Sequence, residues 1–211
     1  MQIVTAPNGP VMTNTYAVAD DDGACLVIDP GFDIDELAAE IDRRGWQVRA
    51  IVTTHGHFDH IAGNRVARER WSAPLWMHPA TVELATNAGT QARWFGLSSE
   101  NSPPPDRTFE HGQVLTIGAL TFEVRAVPGH CPGSVALVCP GHVFVGDVLF
   151  AGSIGRSDLP HSDSWQLMAS IRDQLMTLPD DTVVYPGHGE TTTIGEERRH
   201  NPFRREWENL A

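Results

Sequence analysis

The sequence predicts an α/β fold, and three observations carry that prediction. Seven short runs, at 25–29, 48–53, 74–78, 120–127, 135–139, 142–145 and 182–185, are almost wholly apolar, as expected for strands covered on both faces. Segments with a helical apolar stripe lie between them, so helices should flank the sheets. Nineteen Gly and 15 Pro among 211 residues, with 41% hydrophobic and 20% charged residues, describe a loop-rich globular chain and exclude coiled-coil, collagen-like and disordered classes. The length suits one domain, taken as residues 1–211, with a core large enough to need no disulfide staples.

The helices follow from their end signals. Asp33 is positioned to cap a segment carrying Ile34, Leu37, Ala38 and Ile41 on one face and stopped by Gly45. A second helix follows Asp59 and runs over 61–71. A third runs over 164–178, with Trp165, Met168, Ile171 and Leu175 on its stripe and Pro179 ending it. Residues 87–106, with Gly89, Gly96 and three consecutive prolines from Pro103, read as a long surface loop, either an inert insertion or a lid or binding loop. Trp94 and Phe95 favour the second reading.

Charge and cysteine usage narrow the setting. Fifteen Lys and Arg against 27 Asp and Glu give a net charge of −12, which repels phosphate backbones and anionic membranes. No nucleic-acid or membrane partner is expected. Cys25, Cys131 and Cys139 are odd in number and lack a paired spacing, and the first 22 residues hold neither a basic leader nor a long apolar stretch. The expectation is a soluble cytoplasmic protein.

The chemistry concentrates in Thr54-His55-Gly56-His57-Phe58-Asp59-His60, directly after the apolar run 48–53. Three imidazoles and a carboxylate in a turn can aim at one point, a set that suits a metal such as zinc or iron. Taken singly, Asp59 is a plausible helix N-cap and each histidine an ordinary polar side chain. Repetition argues otherwise. Three further apolar runs end at Pro128-Gly129-His130, Gly146-Asp147 and Pro186-Gly187-His188, and ligands in α/β proteins commonly bind beyond the carboxyl ends of strands. The glycines at 56, 129, 146 and 187 let the backbone turn sharply there.

Seven candidate ligands result: His55, His57, Asp59, His60, His130, Asp147 and His188. They are too many for one tetrahedral ion. Two divalent ions fit, one on His55, His57 and His130, the other on Asp59, His60 and His188, with Asp147 and a water-derived hydroxide between them. Zinc is the first choice, with iron and manganese as alternatives. Asp59 and Asp147 are the candidate catalytic carboxylates.

With these motifs in view, the chain resembles the metallo-β-lactamase-fold hydrolases, and most closely the glyoxalase II-like branch of hydroxyacylglutathione hydrolases. The resemblance rests on T-H-G-H-F-D-H at 54–60, P-G-H-C-P-G-S at 128–134, G-D-V-L-F at 146–150, G-S-I-G-R-S-D-L-P at 152–160 and P-G-H-G at 186–189. It implies a four-layer αβ/βα sandwich with metals at its open edge and ligand roles at the seven positions. It also matches Gly155-Arg156-Ser157-Asp158 to a G-R-x-D element, in which Asp158 could orient a ligand imidazole or simply pair with Arg156 at the surface. His78, His111, His142, His161 and His200 lack any such context, and Cys131 reads as a small buried residue.

Two departures from the family pattern bear on substrate. A cysteine stands at the position of Asp147 in the best-known zinc β-lactamases, which argues against antibiotic hydrolysis. The larger glyoxalase II enzymes carry a separate C-terminal helical domain that helps grip glutathione, and this chain is expected to lack one. After His188 the sequence allows a turn and one helix, whose Arg198, Arg199, Arg204 and Arg205 either dock an anionic thiol or pair with Glu196, Glu197, Glu206 and Glu208.

The expected activity is hydrolysis of an S-2-hydroxyacyl thioester of a small thiol, of the S-D-lactoylglutathione type, with loose recognition of the thiol. The alternatives are a persulfide dioxygenase, with a single iron on His55, His130 and Asp147, and another hydrolase of the fold such as a lactonase. The complete second set, Asp59, His60 and His188, favours hydrolysis.

Overall fold

The computed structural model describes residues 1–210. The first half comprises β1 (Gln2–Asn8), β2 (Thr13–Ala19), β3 (Ala24–Ile28), α1 (Asp35–Arg44), β4 (Gln47–Val52), α2 (Phe58–Ile61), α3 (Asn64–Trp71), β5 (Leu75–Met77), α4 (Val82–Ala85), α5 (Ala88–Trp94) and β6 (Arg107–Thr108). Its strands form one six-stranded sheet in sequential order, antiparallel from β1 to β3 and parallel from β3 to β6.

The second half comprises β7 (Val114–Ile117), β8 (Leu120–Ala126), β9 (Val135–Cys139), β10 (His142–Gly146), β11 (Leu149–Phe150), β12 (Ser153–Ile154), α6 (Ser164–Ser170), β13 (Val183–Pro186), β14 (Thr192–Thr193), α7 (Ile194–His200) and α8 (Arg204–Glu208). The second sheet has the order β14-β13-β10-β9-β8-β7, with β10 and β13 parallel, and β11 and β12 form a small hairpin beside it.

Side-chain alternation along the strands builds the four layers. On β2, Tyr16 and Val18 face inward with Leu26, Ile28 and Val52 against Phe122, Val124, Leu137 and Phe144 of the other sheet. Ala17 and Ala19 face outward with Val27 and Ile51 beneath Leu37, Ile41, Phe58 and Ile61. The outer face of the second sheet, with Val143, Val145 and Val184, carries Leu167, Ile171, Leu175 and Trp207. The expected αβ/βα sandwich is therefore the fold, and no helix among the described residues is long and apolar enough to cross a membrane.

Several elements differ from the sequence expectations, each for a local reason. β1, β2 and β7 escape the apolar-run criterion because β2 buries Thr13, Asn14 and Thr15, and β1 and β7 are partly exposed. Asp33 accepts the Asp35 amide at 3.0 Å, so it shapes the turn, while Ile34 occupies the cap position of α1. The helix expected over 61–71 is two pieces, because the Gly63 amide donates to the Pro30 carbonyl at 3.0 Å and not to the preceding turn, and a glycine stands there because a Cβ would lie 2.3 Å from the Gly31 carbonyl. Asp59 sits inside the first piece, and His57 is its N-cap.

Residues 87–106 are only partly a loop, since Ala88, Gln91 and Ala92 bury one face of α5. In α6, which continues as a wide π turn over Ile171–Leu175, the buried stripe starts at Leu167 and Met168, and Trp165 is exposed. The C-terminal segment holds two short helices. Arg198 and Arg199 both pair with Asp180, and Arg198 also donates to the carbonyls of Met176 and Leu178, so the neighbouring glutamates are not their partners. Glu197 is buried and accepts from the Gly152 amide, the Thr192 hydroxyl and the Asn201 amide.

Candidate metal centre

The parallel pairs β3/β4 and β10/β13 end at a common edge, and the loops leaving them converge there. The Val135 amide bonds the Thr54 carbonyl at 2.9 Å, and Asn14 bonds the Gly187 carbonyl at 2.7 Å, so the edge joins both sheets. The glycines act in two ways. Gly129 and Gly146 adopt positive φ, 131° and 53°, whereas Gly56 and Gly187 are needed for close approach, since a Cβ on Gly187 would lie 2.1 Å from Asp147 Oδ1.

All seven sequence-selected side chains meet at this edge. The ligand atoms of His55, His57 and His130 lie within 4.8 Å of one another, as do those of Asp59, His60 and His188. Asp147 stands between the two triads, its carboxylate 3.3 Å from His60 Nε2, 3.5 Å from His188 Nε2 and 3.7 Å from His130 Nε2. Asp59 Oδ2 approaches His188 Nε2 at 3.2 Å and His60 Nε2 at 3.4 Å, and accepts a bond from the Thr13 hydroxyl at 2.8 Å.

The imidazoles are aimed from behind. His130 Nδ1 donates to the Arg156 carbonyl at 2.8 Å, His188 Nδ1 to the Val11 carbonyl at 3.1 Å, and His60 Nδ1 to Asp29 Oδ2 at 2.9 Å. Each bond fixes the ring and turns Nε2 toward the centre, the arrangement that orients metal-bound histidines. His55 and His60 Nε2 and Asp147 Oδ1 are buried without a hydrogen-bond partner, a costly state that a cation at the centre would relieve. The donor set and these orphaned atoms fit a binuclear metal site.

The same geometry splits the protonation states. Burial, reinforced by the nearby His130, pushes His57 down to about 3, and burial with the charge of His60 holds His55 well below its ordinary value. For His188 burial acts downward, but hydrogen bonds to Asp147 and Asp59 outweigh it and raise the group to about 10. Burial is likewise outweighed at His60, which Asp59, Asp147 and Asp29 push well up. Asp59 and Asp147 are held low by His60 and His188 against the opposing effect of burial.

The structure revises the surrounding assignments. Asp158 touches no ligand imidazole; it pairs with the Arg156 guanidinium at 2.9 and 3.0 Å at the surface, and the Arg156 backbone carbonyl orients His130 instead. His161 lines the cavity above the centre, while His78 and His111 accept backbone amides elsewhere. Cys131 is buried, and burial raises its thiol, which suits the small packed residue expected.

Asp29 is the residue the sequence pattern did not select. Fully buried at the end of β3, it accepts from the Thr54 amide and hydroxyl, each at 2.6 Å, and from His60. It thus fixes the start of the His55–His60 loop and one imidazole together. Its signal was available, because Asp29-Pro30-Gly31 closes an apolar run as the other four motifs do.

The family model of the metallo-beta-lactamase superfamily matches residues 8–188. The chain belongs to that superfamily. It is 34% identical to hydroxyacylglutathione hydrolase GloC of Haemophilus influenzae, across 96% of this chain and 98% of that protein. Among solved structures, BLEG-1 B3 metallo-beta-lactamase superposes with a TM-score of 0.91 at 38% identity, covering 96% of this chain and 99% of that one. TTHA1623 in a di-iron-bound form gives 0.88 at 40% identity, covering 95% and 99%. This superfamily member is thus a metal-dependent hydrolase by family, with His and Asp clusters suited to two ions. A relative this similar bears a β-lactamase name, so Asp147 alone does not serve to exclude that activity.

Proposed function

We propose that the protein hydrolyses S-2-hydroxyacyl thioesters of a small thiol, using two divalent ions, zinc, iron or manganese, held by His55, His57 and His130 and by Asp59, His60 and His188, with Asp147 shared. The observation that carries this reading is the second triad, complete and buried beside the first. The relative named hydroxyacylglutathione hydrolase supports the substrate class, and the di-iron relative supports a site for two metals.

When bound, such an ion pair supplies a Lewis acid and a water acidic enough to ionise near neutral pH. Asp147 and Asp59, held ionised, balance the cationic charge and can accept the water's proton. The Arg156 and Val11 carbonyls and Asp29 keep the imidazoles in the tautomer that faces the centre. A thiolate is a good leaving group and needs little help from a general acid.

The decisive experiment follows free-thiol release from S-D-lactoylglutathione alongside oxygen uptake on glutathione persulfide. Thioester turnover without oxygen uptake is expected. Oxygen uptake without thioester turnover, with a single iron per chain, would replace this proposal by the dioxygenase.

The unequal protonation of the triads gives a further expected result. At pH 7 the metal-free protein should load the His55–His57–His130 half first, because its imidazoles are already neutral. Loading of the other half should release about two protons, from His60 and His188. Calorimetric titration in two buffers of different ionisation enthalpy measures this. Equal proton release with both ions would contradict it.

A further inference from the structure

A cavity of about 720 Å³ opens above the centre, and its chemistry points away from a charged thiol. Trp94 and Phe95, at the end of α5, line it while 64% and 49% exposed, and Phe150, Ile154 and Leu159 line it as well. Two adjacent aromatic rings left open to water, in a concave site, are surface that binding would bury.

The dock is fixed with respect to the metal loop. Gln91 of α5 is buried, and its side-chain amide donates to the Gly56 carbonyl at 3.2 Å and the Leu84 carbonyl at 2.7 Å. The ring of Phe95 lies 5.3 Å from that of Phe58, the residue between His57 and Asp59. Movement of α5 would therefore pull on the loop that carries four of the candidate ligands.

Charge tells against the alternative occupant. Beyond the residues of the centre, the ionisable side chains lining the cavity are Glu83, Arg156 and His161. The Arg156 guanidinium is committed to Asp158 through two hydrogen bonds. Arg198 and Arg199 are spent on Asp180, and neither lines the cavity. A peptide thiol bearing two carboxylates would find no uncommitted arginine or lysine in this lining.

We infer that the preferred substrate carries an uncharged, bulky apolar thiol portion, aromatic or branched aliphatic, seated on the Trp94–Phe95 edge of α5; this rests on the thioester-hydrolase reading above.

The test uses metal-loaded protein and two D-lactoyl thioesters, one of benzyl mercaptan and one of glutathione. The benzyl ester is expected to show a KM at least about tenfold lower, and Trp94→Ala to raise that KM by about tenfold with kcat little changed, as for loss of uniform binding. The glutathione ester should shift by less than about twofold in the same variant. A lower KM for the glutathione ester, or an equal effect of Trp94→Ala on both, would overturn the inference. A separate measurement distinguishes its failure from failure of the hydrolase reading: fluorescence titration with the benzyl thioether in which CH₂ replaces the carbonyl. If neither ester is turned over, the hydrolase reading fails, yet saturable thioether binding lost in Trp94→Ala still supports the apolar dock. No thioether binding overturns the dock whatever the turnover.

Discussion

Asp147→Ala is expected to lower thioester hydrolysis by on the order of 10³-fold or more and to reduce bound metal below two ions per chain. The reason is position: this carboxylate alone stands within 3.7 Å of imidazole nitrogens from both triads. Its Oδ1 is buried without a partner, so in the absence of a cation the group is poorly satisfied and its role lies in holding positive charge. Removing it also leaves His60 and His188 facing one another with one fewer counter-charge, which weakens the metal-free state. Asp147→Asn separates charge from shape, since the amide keeps the volume, and it should lose nearly as much activity. Metal analysis of the purified variants together with free-thiol release measures both effects. Two ions per chain with activity within about tenfold of the parent would remove Asp147 from the bridging position.

The legible part of this protein was the part written in short, repeated segments. Four apolar runs ending in His- or Asp-bearing turns gave the seven residues of the centre, because a strand end fixes where its following turn must lie. Asp29 lacked a neighbouring histidine in sequence, and its importance arises only when β3 is laid beside β4, bringing it to Thr54 and His60. Backbone groups were equally invisible. The carbonyls of Val11 and Arg156 orient His188 and His130, a role that no side-chain motif can encode, and the G-R-x-D element drew attention to Asp158 when the relevant atom belonged to Arg156. Among the elements, β2 was missed because its buried Thr13, Asn14 and Thr15 serve the site edge, Thr13 bonding Asp59 and Asn14 the Pro186 carbonyl. The residues that broke the strand pattern are those that build the centre.

Asp29 supplies the second large effect, and its two variants should fail in different ways. In Asp29→Ala the Thr54 amide and hydroxyl and His60 Nδ1 lose their common acceptor inside a fully buried site. Removing one partner of a buried charged network costs about 3–5 kcal/mol, so this variant should unfold at markedly lower denaturant concentration. The backbone adds to the cost, because Asp29 has φ of 51°, a conformation that Asp and Asn tolerate better than Ala. Asp29→Asn keeps the size and the left-handed backbone but replaces the carboxylate behind His60 with a neutral amide. Loss of that partner typically weakens metal binding by about 10–100-fold. One effect opposes it: Asp29 helps to raise His60, so the parent must displace a more tightly held proton when the ion binds. Raising the pH removes that handicap from the parent, and the ratio of parent to Asp29→Asn affinity should therefore be larger at pH 9 than at pH 7. Competition against a chelator at the two pH values measures the ratio. A ratio unchanged between the two pH values would mean that Asp29 acts on the folded frame alone and not through the imidazole of His60, and one that shrinks would contradict the proton handicap outright.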